Sequence, residues 1–183
     1  MNIERWARSV PFFLFFLGLP NFLCAPSAVY AAERVEQKDS DSDGTPDEWK
    51  IYDGDRLVRI EKDRDKDGRR EAVIFIEQEK PVRAEVDRNR DGRADMIRLY
   101  VAGKPEKERF DQDFDGRWDV WVFYKEGVKD LMIRDKNFDG KPDAWFYYAE
   151  SGSKVVGGRV DGDFDGTPER VFGAVPEKET RQP

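Results

Sequence analysis

Residues 111–124 read DQDFDGRWDVWVFY, an acidic stretch followed directly by an apolar one. In the acidic stretch, aspartates alternate with other residues up to Gly116, and a further acid stands at Asp119. The apolar stretch is rich in β-branched and aromatic side chains, which is typical of a β-strand. This segment therefore predicts a sharp acidic loop that leads straight into a strand.

The pattern D-x-[D/N]-x-D-G-x-x-[D/E] returns six times along the chain. Its glycines are 24 residues apart at four successive steps and 26 apart at the last step. They are Gly44, Gly68, Gly92, Gly116, Gly140 and Gly166. A fixed period of this kind indicates a repeat architecture in which each unit packs on its neighbours. We therefore predict one repeat domain over residues 39–172.

Each acidic loop has the composition of a cation-binding loop. A hard cation such as Ca²⁺ takes about six to eight oxygen ligands, which a short loop supplies from closely spaced carboxylates, amides and carbonyls. The glycine at position 6 permits a sharp turn. Calcium is favoured over magnesium, which retains its waters, and the absence of His argues against a transition metal. We expect up to six Ca²⁺ ions.

The predicted ligands stand at positions 1, 3, 5, 7 and 9 of each loop, with position 7 offering its carbonyl oxygen. They are Asp39, Asp41, Asp43, Thr45 and Asp47; Asp63, Asp65, Asp67, Arg69 and Glu71; Asp87, Asn89, Asp91, Arg93 and Asp95; Asp111, Asp113, Asp115, Arg117 and Asp119; Asp135, Asn137, Asp139, Lys141 and Asp143; and Asp161, Asp163, Asp165, Thr167 and Glu169. The alternative is that these loops are turns without ions, since Asp and Gly favour turns. That alternative does not explain six copies in register, because crowded carboxylates repel one another without a counter-ion.

Tandem DxDxDGxxD loops with an acid at position 9 and β-type sequence directly after it resemble the calcium loops of FG-GAP and VCBS repeats in bacterial-type secreted proteins. They resemble thrombospondin type 3 repeats more loosely. An EF-hand or a dockerin-like loop needs a Glu at position 12. That position holds Lys50, Ile74, Arg98, Val122, Phe146 and Phe172. FG-GAP families place one loop in each four-stranded blade, whereas 24 residues hold about two strands, which argues against a standard propeller.

Between the loops, the sequence predicts a β-hairpin. The first strands are expected at 47–52, 71–76, 95–100, 119–124 and 143–148, and second strands at ranges such as 57–61, 82–86 and 131–134. Repetition gives an all-β antiparallel meander of about 11–12 strands, with the acidic loops along one edge and the hairpin turns along the other. An open twisted sheet or solenoid is expected, with a closed barrel or a propeller-like arrangement as the alternative.

Period-two alternation predicts one buried face of this sheet. Its residues are Trp49, Val73, Ile97, Trp121, Trp145 and Val171, joined by Ile51, Phe75, Leu99, Phe123 and Tyr147. We interpret this stripe as core and not as a binding platform. Four further aromatic residues lie in or beside loops, where they could cap the core or contact a partner. They are Phe114, Trp118, Phe138 and Phe164.

Residues 1–31 have the pattern of a signal peptide, with basic Arg5 and Arg8, an apolar run over 10–24 and small residues before a cleavage site. The apolar run is shorter than the roughly 20 residues of a membrane span, so no span is expected after signal removal. The residues before Cys24 fit a lipidation box poorly. We therefore expect an exported protein, periplasmic or extracellular, without a lipid anchor. Residues 32–38 are interpreted as a short leader and 173–183 as a disordered polar tail.

The charge distribution bears on the partner. The formal net charge is −7, with 39 acidic against 32 basic residues. More than half of the acids are predicted ligands, so six divalent ions would make the chain net positive. The non-ligand bases of the loops are expected to point outward: Arg64, Lys66, Arg88, Arg90 and Lys136. An acidic polysaccharide, lipid headgroups or another surface protein are the candidate partners. The alternative, which we favour, is that these bases only reduce the repulsion between neighbouring loops. No nucleic-acid module is recognised.

These observations predict a non-catalytic protein. The chain has no His, its one Cys lies in the signal, and its carboxylates are mostly explained as ligands. We expect an exported calcium-binding repeat protein with a structural or adhesion role. A calcium-dependent carbohydrate-binding module with Trp and Tyr platforms is the alternative.

Overall fold

The computed structural model describes residues 33–177, 179, 181 and 183. The predicted signal peptide, including Cys24, lies outside the described residues. Residues 31–183 form one compact unit, and every strand pairs with other strands of this unit.

Twelve antiparallel strands form one sheet in chain order. They are β1 (Glu33–Lys38), β2 (Glu48–Asp53), β3 (Arg56–Lys62), β4 (Ala72–Glu77), β5 (Lys80–Val86), β6 (Met96–Val101), β7 (Lys104–Phe110), β8 (Val120–Lys125), β9 (Val128–Arg134), β10 (Ala144–Tyr148), β11 (Val155–Val160) and β12 (Arg170–Gly173). The strands β1 and β12 are the two edges of the sheet, which does not close. The predicted meander is therefore confirmed, in its open form.

The hairpin turns join the strands at the ends opposite to those joined by the acidic loops. Three of them are two-residue turns whose central residues both have positive φ, as at Ala102 (52°) and Gly103 (81°). This turn type matches the right-handed twist of the strands that it joins. The β10–β11 connection is longer and is closed by a bond from Ala149 N to Lys154 O at 2.8 Å. Its extra length accounts for the 26-residue step between the last two glycines.

Buried residues lie on both faces of the sheet, and not every residue of the predicted stripe is buried. On β8, Trp121 is buried on one face while Val120 and Val122 are buried on the other. Conversely, Leu99 and Val171 were expected in the core but are 38% and 56% exposed. The described residues contain no second layer, so each side chain is covered mainly by its cross-strand neighbours. At the edge strand β12, those neighbours are present on one side only.

The cross-strand rows explain how a single layer covers itself. One row runs through Trp49, Glu61, Val73, Glu85 and Ile97, so that apolar and charged residues alternate from strand to strand. The charged members pair with neighbouring cations: Arg59 donates to Glu61 at 2.7 Å, as does Arg70 at 2.6 Å. The aliphatic parts of such long side chains shield apolar neighbours while their charges stay in contact with water.

A denser apolar core lies on β8 to β10. It consists of Trp121, Leu131, Ile133 and Tyr147, and Val175 of the tail packs against it. Arg181 is also fixed, because it donates to Asp130 of β9 at 2.5 Å. The described tail residues Val175 and Arg181 thus contact β8–β10.

The segment interpreted as a leader also belongs to the sheet. Residues 33–38 form β1, which pairs with β2 along its whole length. Glu33 of β1 accepts a hydrogen bond from Arg59 of β3 at 3.0 Å. The first hairpin therefore has a strand on its outer side, and the sheet begins before the first acidic loop.

Candidate metal centres

The six acidic loops lie side by side at one end of the strands. We call this row of strand ends the loop edge, as distinct from the edge strands β1 and β12. They are loop 1 (39–47), loop 2 (63–71), loop 3 (87–95), loop 4 (111–119), loop 5 (135–143) and loop 6 (161–169). Each connects an even-numbered strand to the odd-numbered strand before it. Consecutive loops are therefore two strands apart, which is about 10 Å.

All six loops share one backbone conformation. Position 4 is left-handed in every loop, with φ between 63° and 66°, and the glycine at position 6 has φ between 89° and 97°. The residues at position 4 are Ser42, Lys66, Arg90, Phe114, Phe138 and Phe164. Non-glycine residues seldom adopt this conformation, so its recurrence shows that the loop imposes the geometry on whichever side chain stands there.

The aspartate at position 1 organises each loop. In loop 4, Asp111 Oδ1 accepts the N–H of Phe114 at 2.7 Å, and its Oδ2 accepts the N–H of Gly116 at 2.8 Å. The same two bonds occur in the other five loops, at 2.6–2.9 Å. A single carboxylate thus holds the chain in the sharp turn that brings the later acids back toward it.

The acid at position 9 closes the loop from the other side. The carboxylate of Asp119 accepts the N–H of Gln112 at 2.6 Å. Equivalent bonds from position 2 to position 9 span 2.5–3.0 Å in the other loops. Together, positions 1 and 9 fix both ends of the loop.

Backbone hydrogen bonds also join each loop to the next. Asp63 N donates to Asp47 O at 3.0 Å, which links position 1 of loop 2 to position 9 of loop 1. The same bond recurs at each later step of the edge, at 2.7–2.9 Å. The loop edge is therefore a continuous ladder and not a set of separate turns.

Carboxylate oxygens converge in five of the six loops. In each group, one ligand atom per residue lies within 4.8 Å of the others, a spacing that could hold a metal ion. The groups are Asp39, Asp41 and Asp43; Asp63, Asp65 and Glu71; Asp87, Asp91 and Asp95; Asp111, Asp113 and Asp115; and Asp161, Asp163 and Glu169. Loop 5 has the same hydrogen bonds, with the amide Asn137 at position 3.

The remaining predicted ligands are placed by the same turn. Asn89 and Asn137 occupy position 3, where each side-chain oxygen accepts the N–H of the aspartate two residues later. The N–H of each position 7 residue donates to the aspartate at position 5, at 2.7–2.9 Å. Those position 7 residues are Thr45, Arg69, Arg93, Arg117, Lys141 and Thr167. The backbone of position 7 is thus held beside the carboxylates.

Two features indicate that a cation fits this donor set. Glu71 in loop 2 uses Oε1 to accept from Arg64 N, while its Oε2 is buried without a hydrogen-bond partner among the described residues. In loop 4, burial raises the pKa of the Asp119 carboxyl, opposed by bonds from Gln112 and Asp113 and reinforced by the nearby carboxylates. A divalent ion would give the free oxygen a partner and relieve the repulsion.

Two of the cations expected to point outward instead contact the preceding loop. The Lys66 ammonium bonds to Asp41 and also lies 3.2 Å from Asp43 Oδ2. Arg90 repeats this arrangement one step later, with Asp65 and with Asp67 at 3.3 Å. The correction follows from the shared backbone, because a long side chain at position 4 reaches positions 3 and 5 of the loop before it. The sequence feature that could have predicted these contacts is the cation at position 4 of both loop 2 and loop 3.

The aromatic residues of the loops fall into two groups. Trp118 is half-buried against the core and lies under the Arg109 guanidinium at 4.3 Å, so it caps the core. Phe114, Phe138 and Phe164 are about two-fifths exposed, at 43%, 39% and 40%. These three residues are hereafter called the aromatic row. The Trp residues of the predicted stripe differ from it, since Trp49 and Trp121 are buried.

Over the described residues, the chain contains no helix long and apolar enough to cross a membrane.

Comparison with known proteins gives no family assignment. No family model matches the chain, and no curated protein matches it. Among solved structures, part of the chain is similar to accessory secretory protein 1, 2 and 3 of Streptococcus pneumoniae, with a TM-score of 0.39, 13% identity and coverage of 51% of this chain and 18% of that one. TarM gives a TM-score of 0.27, 9% identity and coverage of 62% and 19%. The chain thus spans less than a fifth of either structure.

Proposed function

We propose that this protein is an exported, non-catalytic calcium-binding protein in which up to six Ca²⁺ ions stabilise the loop edge of an open β-sheet. The observation that carries the proposal is the sixfold recurrence of one loop geometry with oxygen ligands at the same positions. Calcium fits the donor set better than magnesium, because each loop offers many protein oxygens and leaves few positions for water. The proposed export rests on residues 1–31 of the sequence.

The proposed role of the ions is structural. A single-layer sheet has no second layer to bury its faces, and its acidic edge concentrates like charges. An ion at ten times its Kd would add about 1.4 kcal/mol per site. The summed contribution of several such sites is comparable to the free energy of unfolding of a typical domain, about 5–15 kcal/mol. The loaded protein would thus be a rigid module suited to a scaffold or to adhesion outside the cell.

The carbohydrate-binding alternative draws less support from the side chains. It needs Trp or Tyr rings that lie open as stacking platforms, whereas Trp49, Trp121 and Tyr147 are buried. The exposed rings of the loop edge belong to Phe, which has no polar group for sugar hydroxyls.

The test is a calcium titration by calorimetry, with thermal unfolding of residues 31–183 in chelator, in calcium and in magnesium. We expect about six sites and a large rise in melting temperature that calcium produces and magnesium does not. No heat of binding and no rise in melting temperature would show that the loops are turns alone.

Matched variants locate the ions. The double substitution Asp163→Asn and Asp165→Asn keeps the side-chain oxygens that accept the N–H groups of Asp165 and Thr167. It removes two charges from loop 6, so one site should be lost while the sheet still folds. The control, Asp55→Asn, changes an exposed aspartate of the first hairpin turn. It should leave the number of sites unchanged.

A further inference from the structure

The aromatic row is an exposed apolar feature placed directly among candidate cation sites. Phe114, Phe138 and Phe164 occupy position 4 of loops 4, 5 and 6, so they follow one another at steps of about 10 Å. Each has a left-handed backbone, with φ of 65°, 63° and 63°. Small polar residues adopt this conformation more readily than bulky ones. The three phenyl rings are therefore an exposed apolar feature that the packing of the core does not explain.

We propose that the aromatic row, together with the loaded loops 4 to 6, docks on an anionic lipid membrane in a calcium-dependent manner. This inference rests on the proposed function, because it requires that the loops take up Ca²⁺. The rings would enter the boundary between headgroups and acyl chains, and the protein would remain peripheral to the membrane.

The shape and chemistry of the row favour a membrane over the other partners. The three rings stand at the same position of successive loops on one side of the sheet, so an extended surface such as a membrane could contact all of them. Phenyl rings carry no hydrogen-bonding group, which suits hydrocarbon better than sugar hydroxyls. Cations accompany the rings: the Arg88 guanidinium is 5.3 Å from the ring centre of Phe114, and Lys136 Nζ is 6.0 Å from that of Phe164. Such cations attract anionic headgroups.

The dependence on calcium follows from the acids beside the rings. Asp113, Asp163 and Asp165 are exposed on the same edge, and their charges would repel an anionic surface. Asp115 is also exposed, but it pairs with Arg117 at 2.6 Å. Bound ions would cancel this repulsion.

The experiment is co-sedimentation of residues 31–183 with vesicles, in calcium and in chelator. One set of vesicles contains phosphatidylcholine alone, and the other contains equal amounts of phosphatidylcholine and phosphatidylglycerol. The test variant is Phe114→Ser, Phe138→Ser and Phe164→Ser, since Ser42 has the same backbone conformation in loop 1. The matched control is Val101→Ser, Val128→Ser and Val155→Ser, three exposed apolar residues of the opposite edge.

We expect the unaltered protein to bind the anionic vesicles in calcium and to bind them at least about tenfold more weakly in chelator. The Phe variant should lose at least about tenfold in affinity in calcium, whereas the Val variant should bind as the unaltered protein does. Both variants should take up calcium with unchanged stoichiometry in calorimetry.

Several outcomes would overturn the inference. Ion uptake without vesicle binding would overturn it while leaving the proposed function intact, as would equal binding by the Phe variant or equal binding in chelator. Retention on an acidic polysaccharide without vesicle binding would assign the surface to a different partner. Absence of ion uptake would overturn both proposals, and calorimetry distinguishes that case from the others.

Discussion

The first three loops and the last three loops share one backbone but differ in the side chain at position 4. In the first half of the edge, Lys66 and Arg90 bond to the acids of the preceding loop. In the second half, the same position holds exposed phenylalanines, which leave the preceding acids without that cation. One scaffold therefore supports two uses of the same position, internal neutralisation in one half and an exposed apolar row in the other.

This difference at position 4 indicates how strongly the stability of each loop depends on a bound ion. Loops 1 and 2 each contain four acids and receive a cation from the next loop. Loop 6 also contains four acids, and among the described residues none of them forms an ion pair with Lys or Arg. Loop 6 should therefore gain more from a bound ion than loops 1 and 2.

The largest expected effect comes from the aspartate at position 1. Asp111→Ala should reduce the free energy of unfolding by about 3 kcal/mol in calcium, because it removes a buried carboxylate that accepts two backbone N–H groups and that is also a candidate ligand. Asp39→Ala makes the same change in loop 1, where the aspartate is less buried, and should lose about 1 kcal/mol. Urea unfolding of both variants in calcium gives the values, and equal losses would show that the burial of the position 1 carboxylate does not set its contribution to stability.

The next largest effect is expected from Glu108 in the sheet, whose contribution to stability should not depend on calcium. Glu108 is 4% exposed and accepts hydrogen bonds from Arg98 and from Tyr124, the latter at 2.5 Å. Glu108→Ala should cost about 2 kcal/mol in calcium and in chelator alike, because it leaves a partly buried guanidinium without its partner. Burial, followed by the Glu108 bond, raises the pKa of Tyr124 well above its usual value, and the variant should lower that pKa in a spectroscopic titration.

Glu36 provides the matched control for Glu108. It accepts from Tyr52 at 2.9 Å in the same register position of the first repeat, but it is exposed. Glu36→Ala should therefore leave the unfolding midpoint within experimental error. A loss as large as that of Glu108→Ala would mean that the two halves of the sheet are stabilised in the same way.

A smaller effect is expected from the tethered cation. Lys66→Gln should tighten calcium binding at loop 1 by roughly threefold, because the ion no longer competes with an ammonium for Asp41 and Asp43. The converse variant, Phe138→Lys, should weaken binding at loop 4 by a similar factor by placing a cation near Asp113 and Asp115. Calorimetric titration of both variants measures the calcium affinities. Unchanged affinities would show that the residue at position 4 does not affect calcium binding to the preceding loop.

The smallest effect concerns the tail, which covers only the second half of the sheet. Arg181→Ala should cost about 0.5 kcal/mol, since Arg181 is about one-third exposed and its bond to Asp130 is partly screened by water. Arg170→Ala changes an arginine of β12 and serves as the control with no measurable loss expected. Thermal unfolding in calcium measures both, and a loss confined to Arg170→Ala would show that the tail contributes nothing to the core.

The repeat allows the meander and the loop edge to be predicted because both follow from local periodicity. A 24-residue unit with one loop and two strands can place every loop on the same edge only if consecutive strands are antiparallel neighbours. The carboxylate convergence at Asp111, Asp113 and Asp115 follows in the same way from the turn at Gly116. These features depend on residues that are close in sequence.

Features that depend on distant residues were not predictable from periodicity. The exposure of Leu99 depends on its neighbours Arg83 and Lys107 across the strands, which alternation along one strand does not reveal. The contact of Lys66 with Asp41 joins residues 25 apart in sequence. The bond between Asp130 and Arg181 joins the repeat to a residue that follows it, so the repeat pattern did not indicate this contact.

The ladder of backbone bonds between consecutive loops has a mechanical consequence. Because β1 and β12 are the opposite edges of the sheet, tension applied between them pulls across the strands and loads every interface in series. Such a sheet yields one repeat at a time, each releasing 24 residues, or about 80 Å of extended chain. An ion in each loop would resist the unfolding of that repeat. The force needed to unfold each repeat would therefore depend on the calcium concentration of the surroundings.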